Sequence, residues 1–280
     1  MKKTILITGC SSGIGHDAAI ALSKRGHHVI ASCRKEMDCQ RLQVLGIDVV
    51  QIDVNKSESI QAGFAKVLEK TSGRLDILIN NAGYGQMGAL EDIPRDALRQ
   101  QFETNVFGLL EMSQKAIPLM RHQKNARIIN ISSILGHVSM PFRGAYNASK
   151  YAVEGLSDTL RLELKASGID VISIVPGPIV SQFRDTCIEN SLAKINKDHS
   201  YYKTQYERLL GDYKLNKNKS MFTKTTDAVI SKLIHAIESK RPKVRYKVTL
   251  PAYLLCLLKR CLSTKRLDYF LRYISKKELG

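Results

Sequence analysis

The sequence lacks any long hydrophobic run. The longest apolar stretch near its end, residues 250–258, is well short of the roughly 20 residues that cross a bilayer. The apolar run that follows Lys2 and Lys3 stops at Thr8 and Gly9, which is too short for the core of a signal peptide. We therefore expect no membrane-spanning segment, and we interpret the first apolar run as a β-strand.

The sequence also lacks paired cysteines. Its six cysteines are scattered, with no CxxC pair and no histidines at metal-ligand spacing. They predict neither a disulfide framework nor a zinc site, and they fit a reducing compartment. We expect a cytoplasmic protein without a bound metal.

Acidic residues are scarce in the last third of the chain. Residues 1–189 carry 22 Lys and Arg against 19 Asp and Glu, whereas residues 190–280 carry 21 against 7. The formal net charge of +17 is therefore concentrated near the end of the chain. Such an asymmetry bears on partners and solubility rather than on fold, and it indicates a near-neutral body with a basic appendage.

What is present is an alternation of short β-branched runs with helical patterns. Strands are predicted at 4–8, 28–32, 48–53, 75–80, 126–132 and 170–175. Helices are predicted at 14–25, 36–45, 57–71, 95–121 and 145–167. This order implies right-handed βαβ units and a parallel sheet with helices on both faces. We expect one α/β domain over residues 1–248, a doubly wound Rossmann-type sheet of about seven strands.

The alternation stops after Pro176. Residues 181–225 are polar, rich in Lys, Asn and Tyr, and contain no clean strand, before a last helix at 226–239 and a short strand at 243–248. An insertion at the carboxyl end of a strand lies where an α/β sheet places its binding crevice. We interpret 181–225 as a mobile lid over a substrate, and a solvated surface loop is the alternative.

Three glycines lie between the first strand and the first helix. Glycine there permits a tight turn, lets the backbone approach a pyrophosphate and directs free amides at the anion. A purely structural turn is the alternative, but the position on the opening turn of a βαβ pattern favours dinucleotide binding. The predicted contacts are Gly9, Ser11, Ser12, Gly13, Ile14 and Gly15.

The end of the second strand bears on the choice of dinucleotide. A carboxylate there binds a ribose diol, whereas an arginine accepts a 2′-phosphate. The strand ends in Cys33, and Arg34 and Lys35 follow, which favours NADP(H). NAD(H) is the alternative, because a different strand end would place Glu36 or Asp38 at the ribose.

Two polar side chains, Tyr146 and Lys150, lie one turn apart near the start of the predicted helix at 145–167. Taken alone, such a tyrosine packs and such a lysine is solvated. An ammonium close to the phenol would instead favour the phenolate and lower the pKa of the tyrosine toward neutrality.

Several short motifs occur in an order that resembles the short-chain dehydrogenase/reductase family. The resemblance covers about residues 3–240, and within the family it is closest to 17β-hydroxysteroid dehydrogenases, retinol dehydrogenases and bacterial NADP-dependent aldehyde reductases. The motifs are "TGCSSGIG" (8–15), "NNAG" (80–83), Asn105, "ISS" (131–133), "YNASK" (146–150) and "PGPIVS" (176–181).

The resemblance implies a role for each matching position. Tyr146 matches the catalytic acid/base, Lys150 its partner and Ser133 the serine that binds the reacting oxygen. Asn105 matches an asparagine that supports a water-mediated proton relay to the lysine. The implied cofactor contacts beyond the glycine turn are Arg34, Asp53, Val54, Asn81, Ala82, Gly83, Tyr146, Lys150, Pro176, Gly177, Ile179 and Ser181.

These observations predict an NADP(H)-dependent oxidoreductase that acts on apolar aldehydes, ketones or the corresponding alcohols. Retinoid-like and steroid-like compounds fall within that class. A non-catalytic dinucleotide-binding sensor is the alternative, although a sensor does not require the set of Ser133, Tyr146 and Lys150.

Residues 249–280 predict a basic amphipathic extension, with Leu254, Leu258, Leu271 and Ile274 at broadly helical spacing among lysines and arginines. We expect this stripe to pack over the domain, close the pocket or contact a second copy in a homo-oligomer. Peripheral contact with the inner membrane surface is the alternative. Nucleic acid is not an expected partner, because the basic residues lie in an apolar-striped segment without a recognisable nucleic-acid-binding motif.

Overall fold

The computed structural model describes residues 2–180, 183, 187–188, 191, 193–214 and 222–279, with the backbone alone for 212–214 and 277–279. Its centre is a seven-stranded sheet in the order β3-β2-β1-β4-β5-β6-β7. All neighbouring strands pair in parallel, which confirms the predicted doubly wound sheet. The strands are β1 Thr4–Ile7, β2 His28–Cys33, β3 Asp48–Gln51, β4 Ile77–Asn80, β5 Arg127–Ile131, β6 Asp170–Val175 and β7 Arg245–Lys247.

Helices connect the strands and continue beyond the last one. A π-helical turn at Glu103–Phe107 divides the predicted helix at 95–121 into two. The helices are α1 Gly13–Lys24, α2 Glu36–Gln43, α3 Ser57–Thr71, α4 Arg95–Phe102, α5 Gly108–Met120, α6 Gly144–Glu163, α7 Lys203–Lys214, α8 Asp227–Glu238, α9 Leu250–Cys261 and α10 Thr264–Leu279.

Alternating side chains of the strands form two apolar cores. Ile5 and Ile7 of β1 lie in one core with residues of α1, α2 and α8, and Leu6 between them lies in the other with residues of α3, α5 and α6. Both faces are apolar because parallel strands are covered by helices on both sides. Each fully buried aliphatic side chain contributes roughly 1.5–3 kcal/mol, so these cores supply most of the stability of the sheet.

A buried polar ladder crosses the middle of the sheet. Asn80 Nδ2 donates to Asn130 Oδ1 at 2.9 Å and to Ser113 Oγ at 3.0 Å. Asn130 Nδ2 donates to Ser157 Oγ at 2.8 Å. Buried amides are tolerated only when hydrogen-bonded, so these bonds fix β4 and β5 against α5 and α6.

The segment predicted as a lid contains a helix that the sequence interpretation missed. Tyr206 of α7 is fully buried, and its hydroxyl donates to Asp92 Oδ2 at 2.6 Å and accepts from the Ala89 amide at 2.9 Å. The described part of the segment thus packs on residues 85–92 rather than extending into solvent. Tyr206, Leu209 and Leu210, at intervals of three and four residues, attach this helix, and the polar residues around them hid this short stripe.

The C-terminal extension forms two helices rather than one stripe. Leu255 of α9 and Leu267 and Leu271 of α10 pack against Ile134 and Val138, which follow β5. Leu254, which the spacing placed on the packing stripe, is instead 45 % exposed. The helices break at residues 262–263, so the register changes between them. None of the helices in the described ranges is long and apolar enough to cross a membrane.

Candidate active site

Close packing in the β1–α1 turn requires glycine at Gly9 and Gly15. Gly9 has a φ of +70°, and a Cβ there would lie 2.7 Å from the Ala82 Cα. A Cβ on Gly15 would lie 2.4 Å from both the Asn81 Nδ2 and the Gly9 carbonyl oxygen. The glycines therefore let the turn, the start of α1 and the segment after β4 pack in contact.

Hydrogen bonds of Thr8 and Asn81 hold this turn against the segment after β4. The Thr8 hydroxyl accepts from the amides of Asn81 at 2.9 Å and Ala82 at 3.0 Å. Asn81 Nδ2 donates to the carbonyls of Thr8 and Gly9, each at 2.9 Å. The Asn81 side chain, which the resemblance implies as a cofactor contact, thus holds the turn. The role of Thr8 was missed, although a hydroxyl directly before the first glycine is a signal for it.

The turn fits a dinucleotide phosphate. Ser11 and Ser12 are exposed where α1 begins, and the Ser12 side chain makes no capping hydrogen bond to that fully described helix. The first-turn amides of a helix carry a partial positive charge and favour an anion. The residues at the turn can therefore hold a pyrophosphate through backbone amides and hydroxyls.

Arg34 is exposed directly after β2 ends at Cys33, where the sequence placed it. Its backbone carbonyl accepts a hydrogen bond from Gln51 Nε2 at 3.0 Å. Glu36 already lies in the first turn of α2, and Asp38 pairs with Arg41. The side chain nearest to the strand end is therefore a cation.

The remaining predicted cofactor positions lie along the same carboxyl edge of the sheet. Asp53 Oδ1 accepts from the Asn55 amide at 3.1 Å, and a Cβ on Gly108 would lie 2.3 Å from the Val54 carbonyl oxygen. The Pro176 carbonyl accepts from the Ile134 amide at 2.8 Å.

The neighbours of these positions are closely packed as well. A Cβ on Gly83 would lie 3.0 Å from Asn105 Oδ1, and a Cβ on Gly177 would lie 2.1 Å from the Thr249 hydroxyl. Ile179 forms a β-bridge with Lys224. Ser181 lies outside the described residues.

Ser133 follows β5 and touches Tyr146. Its hydroxyl accepts from the Leu135 amide at 3.1 Å, which begins a short 3-10 turn, and it hydrogen bonds to the Tyr146 phenol. The neighbouring Ser132 is buried, and its hydroxyl has no hydrogen-bond partner among the described residues. Ser133, the serine that matches the family motif, is therefore the one that contacts Tyr146.

Burial and hydrogen bonding act in opposite directions on the protonation of Tyr146. Burial raises the pKa of Tyr146 above its usual value, and the hydrogen bond from Ser133 opposes that rise. The expectation that Lys150 lowers this pKa stays a prediction. The Lys150 ammonium lies 5.7 Å from the ring centroid, where its positive charge opposes the effect of burial. Since burial raises its pKa, Tyr146 is a protonated acid at neutral pH.

Lys150 is buried one helical turn from Tyr146. Its Nζ donates to the Ile131 carbonyl at 2.7 Å. Burial lowers the pKa of Lys150 to about 8, and the Glu154 carboxylate opposes that change. Glu154 is itself buried and pairs with Arg245 at 2.8 Å. The sequence interpretation missed Glu154, although its spacing of four residues from Lys150 on one helix was a usable signal.

Asn105 lies in the π-helical turn and organises the loop after β4. Its Oδ1 accepts from the Tyr84 amide at 3.1 Å, and its Nδ2 donates to the Tyr84 carbonyl at 3.0 Å. The same Nδ2 donates to Ser149 Oγ at 3.0 Å, and Ser149 donates to the Tyr146 carbonyl at 2.8 Å. Asn105 therefore positions the helix that carries Tyr146 against this loop.

A phenylalanine ring and a cysteine thiol lie near Tyr146. The Phe183 ring centroid lies 5.8 Å from that of Tyr146, and the buried Cys187 thiol accepts from the Gly85 amide at 3.0 Å. Burial raises the pKa of Cys187 to about 12, so the thiol is neutral. Sequence reasoning contained no signal for either contact, because both depend on how the segment after β6 folds back.

A cavity of about 630 Å3 lies beside the start of α6. Leu90, Met140, Phe142 and Tyr202 are among its lining side chains, whereas Tyr146 is not. Residues 139–142 and Tyr202 of the segment interpreted as a lid thus meet at this cavity. Its apolar lining suits an apolar molecule.

Comparison with known proteins agrees with this geometry. Residues 3–191 match the family model described as short chain dehydrogenase. The chain is 39 % identical over 272 residues to an uncharacterized oxidoreductase, YbbO, of Escherichia coli strain K12, which covers 97 % of this chain and 95 % of that protein. It is 31 % identical to retinol dehydrogenase 8 of Homo sapiens over 258 residues, which covers 87 % of this chain and 80 % of that protein.

A solved structure gives the same result. A short-chain dehydrogenase from Streptomyces avermitilis superimposes with a TM-score of 0.74 at 26 % identity, covering 99 % of this chain and 96 % of the other. The family expected from the motifs is thereby confirmed, and the chain belongs to the short-chain dehydrogenase/reductase family.

Proposed function

We propose that this oxidoreductase reduces apolar aldehydes or ketones with NADPH, with Tyr146 as the general acid. The observation that carries the proposal is the hydrogen bond between the Ser133 hydroxyl and the Tyr146 phenol, with the buried Lys150 one helical turn away. When bound, the dinucleotide supplies the hydride, and the protein residues control the oxygen of the substrate. The reverse reaction, oxidation of an alcohol, uses the same residues.

The protonation states support the direction of reduction. Burial keeps the proton on the Tyr146 phenol, and an oxygen that gains charge as its carbon is reduced is a strong base. Ser133 holds that oxygen, and Tyr146 donates the proton to it. A charged Lys150, whose Nζ lies 5.7 Å from the Tyr146 ring centroid, favours the resulting phenolate by roughly 3 kcal/mol at an effective dielectric near 20. Asn105 supports the proposed relay that returns the proton through Lys150.

The Tyr146→Phe variant tests the acid. We expect turnover to fall by at least about 100-fold while NADPH binding changes little, because only the hydroxyl is removed. Loss of NADPH absorbance measures turnover, and quenching or enhancement of NADPH fluorescence measures binding. The control is Tyr269→Phe, whose side chain is 78 % exposed on α10.

Substantial turnover in Tyr146→Phe would contradict the mechanism. A wild-type protein that binds NADPH tightly but reduces none of the carbonyls would contradict the enzymatic proposal and favour a dinucleotide sensor.

The proposed preference for NADP(H) depends on Arg34. An exposed guanidinium at the end of β2 can form a bidentate pair with a phosphate, which a carboxylate would repel. We expect Arg34→Glu to lower kcat/KM for NADPH relative to NADH by at least about tenfold. The control is Lys66→Glu, which reverses a charge on an exposed position of α3. If Arg34→Glu left the ratio of kcat/KM for NADPH to that for NADH unchanged, Arg34 would not be the residue that sets the preference for NADP(H).

An apolar substrate is supported by three observations. Phe183 lies against Tyr146, the nearby cavity has an apolar lining, and the chain resembles a protein named as a retinol dehydrogenase. A panel of retinoids, steroids and medium-chain and long-chain aldehydes, assayed with NADPH and with NADH, tests the substrate class and the cofactor together. Higher kcat/KM for small polar carbonyls would contradict it. The proposed setting is the cytoplasm, and the proposed assembly is a homo-oligomer.

A further inference from the structure

Helix α9 has apolar side chains on two opposite faces. Ala252, Leu255 and Cys256 are buried against the segment after β5. The opposite face carries Leu250, Tyr253, Leu254 and Leu257, at intervals of three and four residues, so they form one stripe along the helix. A helix that covers a core needs only one apolar face, and the second face is therefore unexplained by folding.

This outward stripe is open to solvent. The exposed fractions are 64 % for Leu250, 50 % for Tyr253, 45 % for Leu254 and 57 % for Leu257. Scattered exposed apolar residues are ordinary, but a continuous row of four on one helix face marks a surface that contacts something apolar.

Lys247 lies at one end of the stripe, and exposed basic residues follow it along the chain. Lys247 Nζ lies 5.7 Å from the Tyr253 ring centroid at its edge. Within residues 250–276 the only carboxylate is Asp268, against six exposed cations. The cations are Lys259, Arg260, Lys265, Arg266, Arg272 and Lys276.

The solvent face of α10 completes this arrangement. Lys265, Tyr269, Arg272, Tyr273 and Lys276 are all exposed and share one side of the helix. Tyrosine and basic side chains suit the level of lipid headgroups, because the rings are amphipathic and the charges meet anionic phosphates.

We propose that the outward stripe of α9 and the basic face of α10 dock this protein onto an anionic lipid surface. Leucines enter the boundary between headgroups and acyl chains, and the exposed cations meet the phosphates. A second copy of the chain fits the same surface less well, since it would bring two strongly basic helix pairs together.

The docking surface lies next to the candidate active site. The buried face of α9 and α10 packs on Ile134 and Val138, and Ser133 directly precedes Ile134. If the proposed function holds, an apolar substrate dissolved in the bilayer is thereby brought close to Ser133 and Tyr146. The docking itself does not depend on the activity, and its test uses neither substrate nor cofactor.

Cosedimentation with vesicles tests the proposal. Intact protein is mixed with phosphatidylcholine vesicles or with equimolar phosphatidylcholine and phosphatidylglycerol. We expect binding to the anionic vesicles at low salt, and much weaker binding at about 1 M salt, where the screening length falls to about 3 Å.

Two double variants separate the apolar and the charged contributions. Leu254→Gln/Leu257→Gln is expected to weaken binding at least roughly tenfold, because two half-exposed leucines lose their burial in lipid. Lys265→Glu/Arg272→Glu is expected to weaken it at least roughly tenfold at low salt. The matched controls are Leu45→Gln/Leu162→Gln and Lys66→Glu/Arg121→Glu, exposed residues distant in sequence from the extension, which are expected to bind like the wild type.

Three results would overturn the proposal. The intact protein could fail to bind anionic vesicles at low salt, or the control variants could lose as much binding as the test variants. Alternatively, Leu254→Gln/Leu257→Gln could lower the mass measured by light scattering while vesicle binding persists, which would assign the stripe to a second copy. Folding of every variant is checked by circular dichroism, and NADPH oxidation with a water-soluble aldehyde is measured separately.

Discussion

Lys150 shows how burial changes the chemistry of a single residue. Its ammonium is withdrawn from water and held by one carbonyl, that of Ile131, so burial lowers its pKa to about 8. An ordinary lysine in the unfolded chain titrates near about 10.4. The folded state therefore bears a cost for the charged form, and that cost is fully present below pH 8.

This cost predicts how stability depends on pH. Between the folded and unfolded pKa values the unfolded chain binds more protons, so the free energy of unfolding rises with pH. We compare the free energy of unfolding of the wild type with that of Lys150→Met. The wild-type value minus the variant value is expected to rise by about 1 kcal/mol from about pH 8.5 to about pH 9.5. Urea unfolding followed by circular dichroism measures it. Lys66→Met, at an exposed position, should show a flat difference, and a flat difference for Lys150→Met would refute the assignment.

At the scale of secondary structure elements, two helical glycines show opposite constraints. Gly15 in α1 is packed so closely that a Cβ would lie 2.4 Å from the Gly9 carbonyl oxygen, whereas a Cβ on Gly155 in α6 would meet nothing within 4 Å. Helix propensity alone treats the two residues as equivalent. Their surroundings in the fold decide the effect of substitution.

We predict that Gly155→Ala stabilises the protein by about 0.5–1 kcal/mol, because alanine loses less backbone entropy in a helix. Gly15→Ala should destabilise it by about 1–3 kcal/mol and weaken NADPH binding, since the turn must move. Urea unfolding and NADPH fluorescence titration measure the two effects. Equal changes in the two variants would contradict the packing of the turn.

The alternation of strands and helices was readable from the sequence, whereas some elements were not. The ends of β4 at Asn80 and of β6 at Val175 were predicted, because these apolar runs stop at polar residues or at proline. The π-helical turn around Asn105 and the helix α7 were missed as such. The π-helical turn depends on hydrogen bonds to the distant residue Tyr84, which leave no local pattern, whereas α7 carries only a short apolar stripe, Tyr206, Leu209 and Leu210, within a polar segment.

At the scale of the whole molecule, the C-terminal helices are part of the core that supports the site. Leu267 is buried in one cluster with Ile134, the residue after Ser133. Basic residues outnumber acidic ones by seven to two in residues 250–280, but the inner faces of these helices pack like any core. The basic extension is therefore joined to the catalytic domain through apolar contacts.

We predict that Leu267→Ala lowers the free energy of unfolding by about 2–5 kcal/mol and reduces turnover, because the cavity it leaves adjoins the segment of Ser133. The control is Leu257→Ala, at a 57 % exposed position, which should change stability by no more than about 0.5 kcal/mol. Thermal unfolding is followed by circular dichroism and by residual activity. If the extension unfolded in a separate transition at lower temperature while activity was retained, it would fold independently of the catalytic domain, which would contradict this prediction.

The sequence by itself determined the parallel sheet, the glycine turn and the family, because these follow from local periodicity and from short motifs in a constant order. Only the tertiary structure decided the protonation of Tyr146, the packing of α7 on residues 85–92 and the outward direction of Leu254. Each of these depends on desolvation or on contacts between residues far apart in the chain. A pattern of neighbouring residues does not specify how much water a side chain loses when the chain folds.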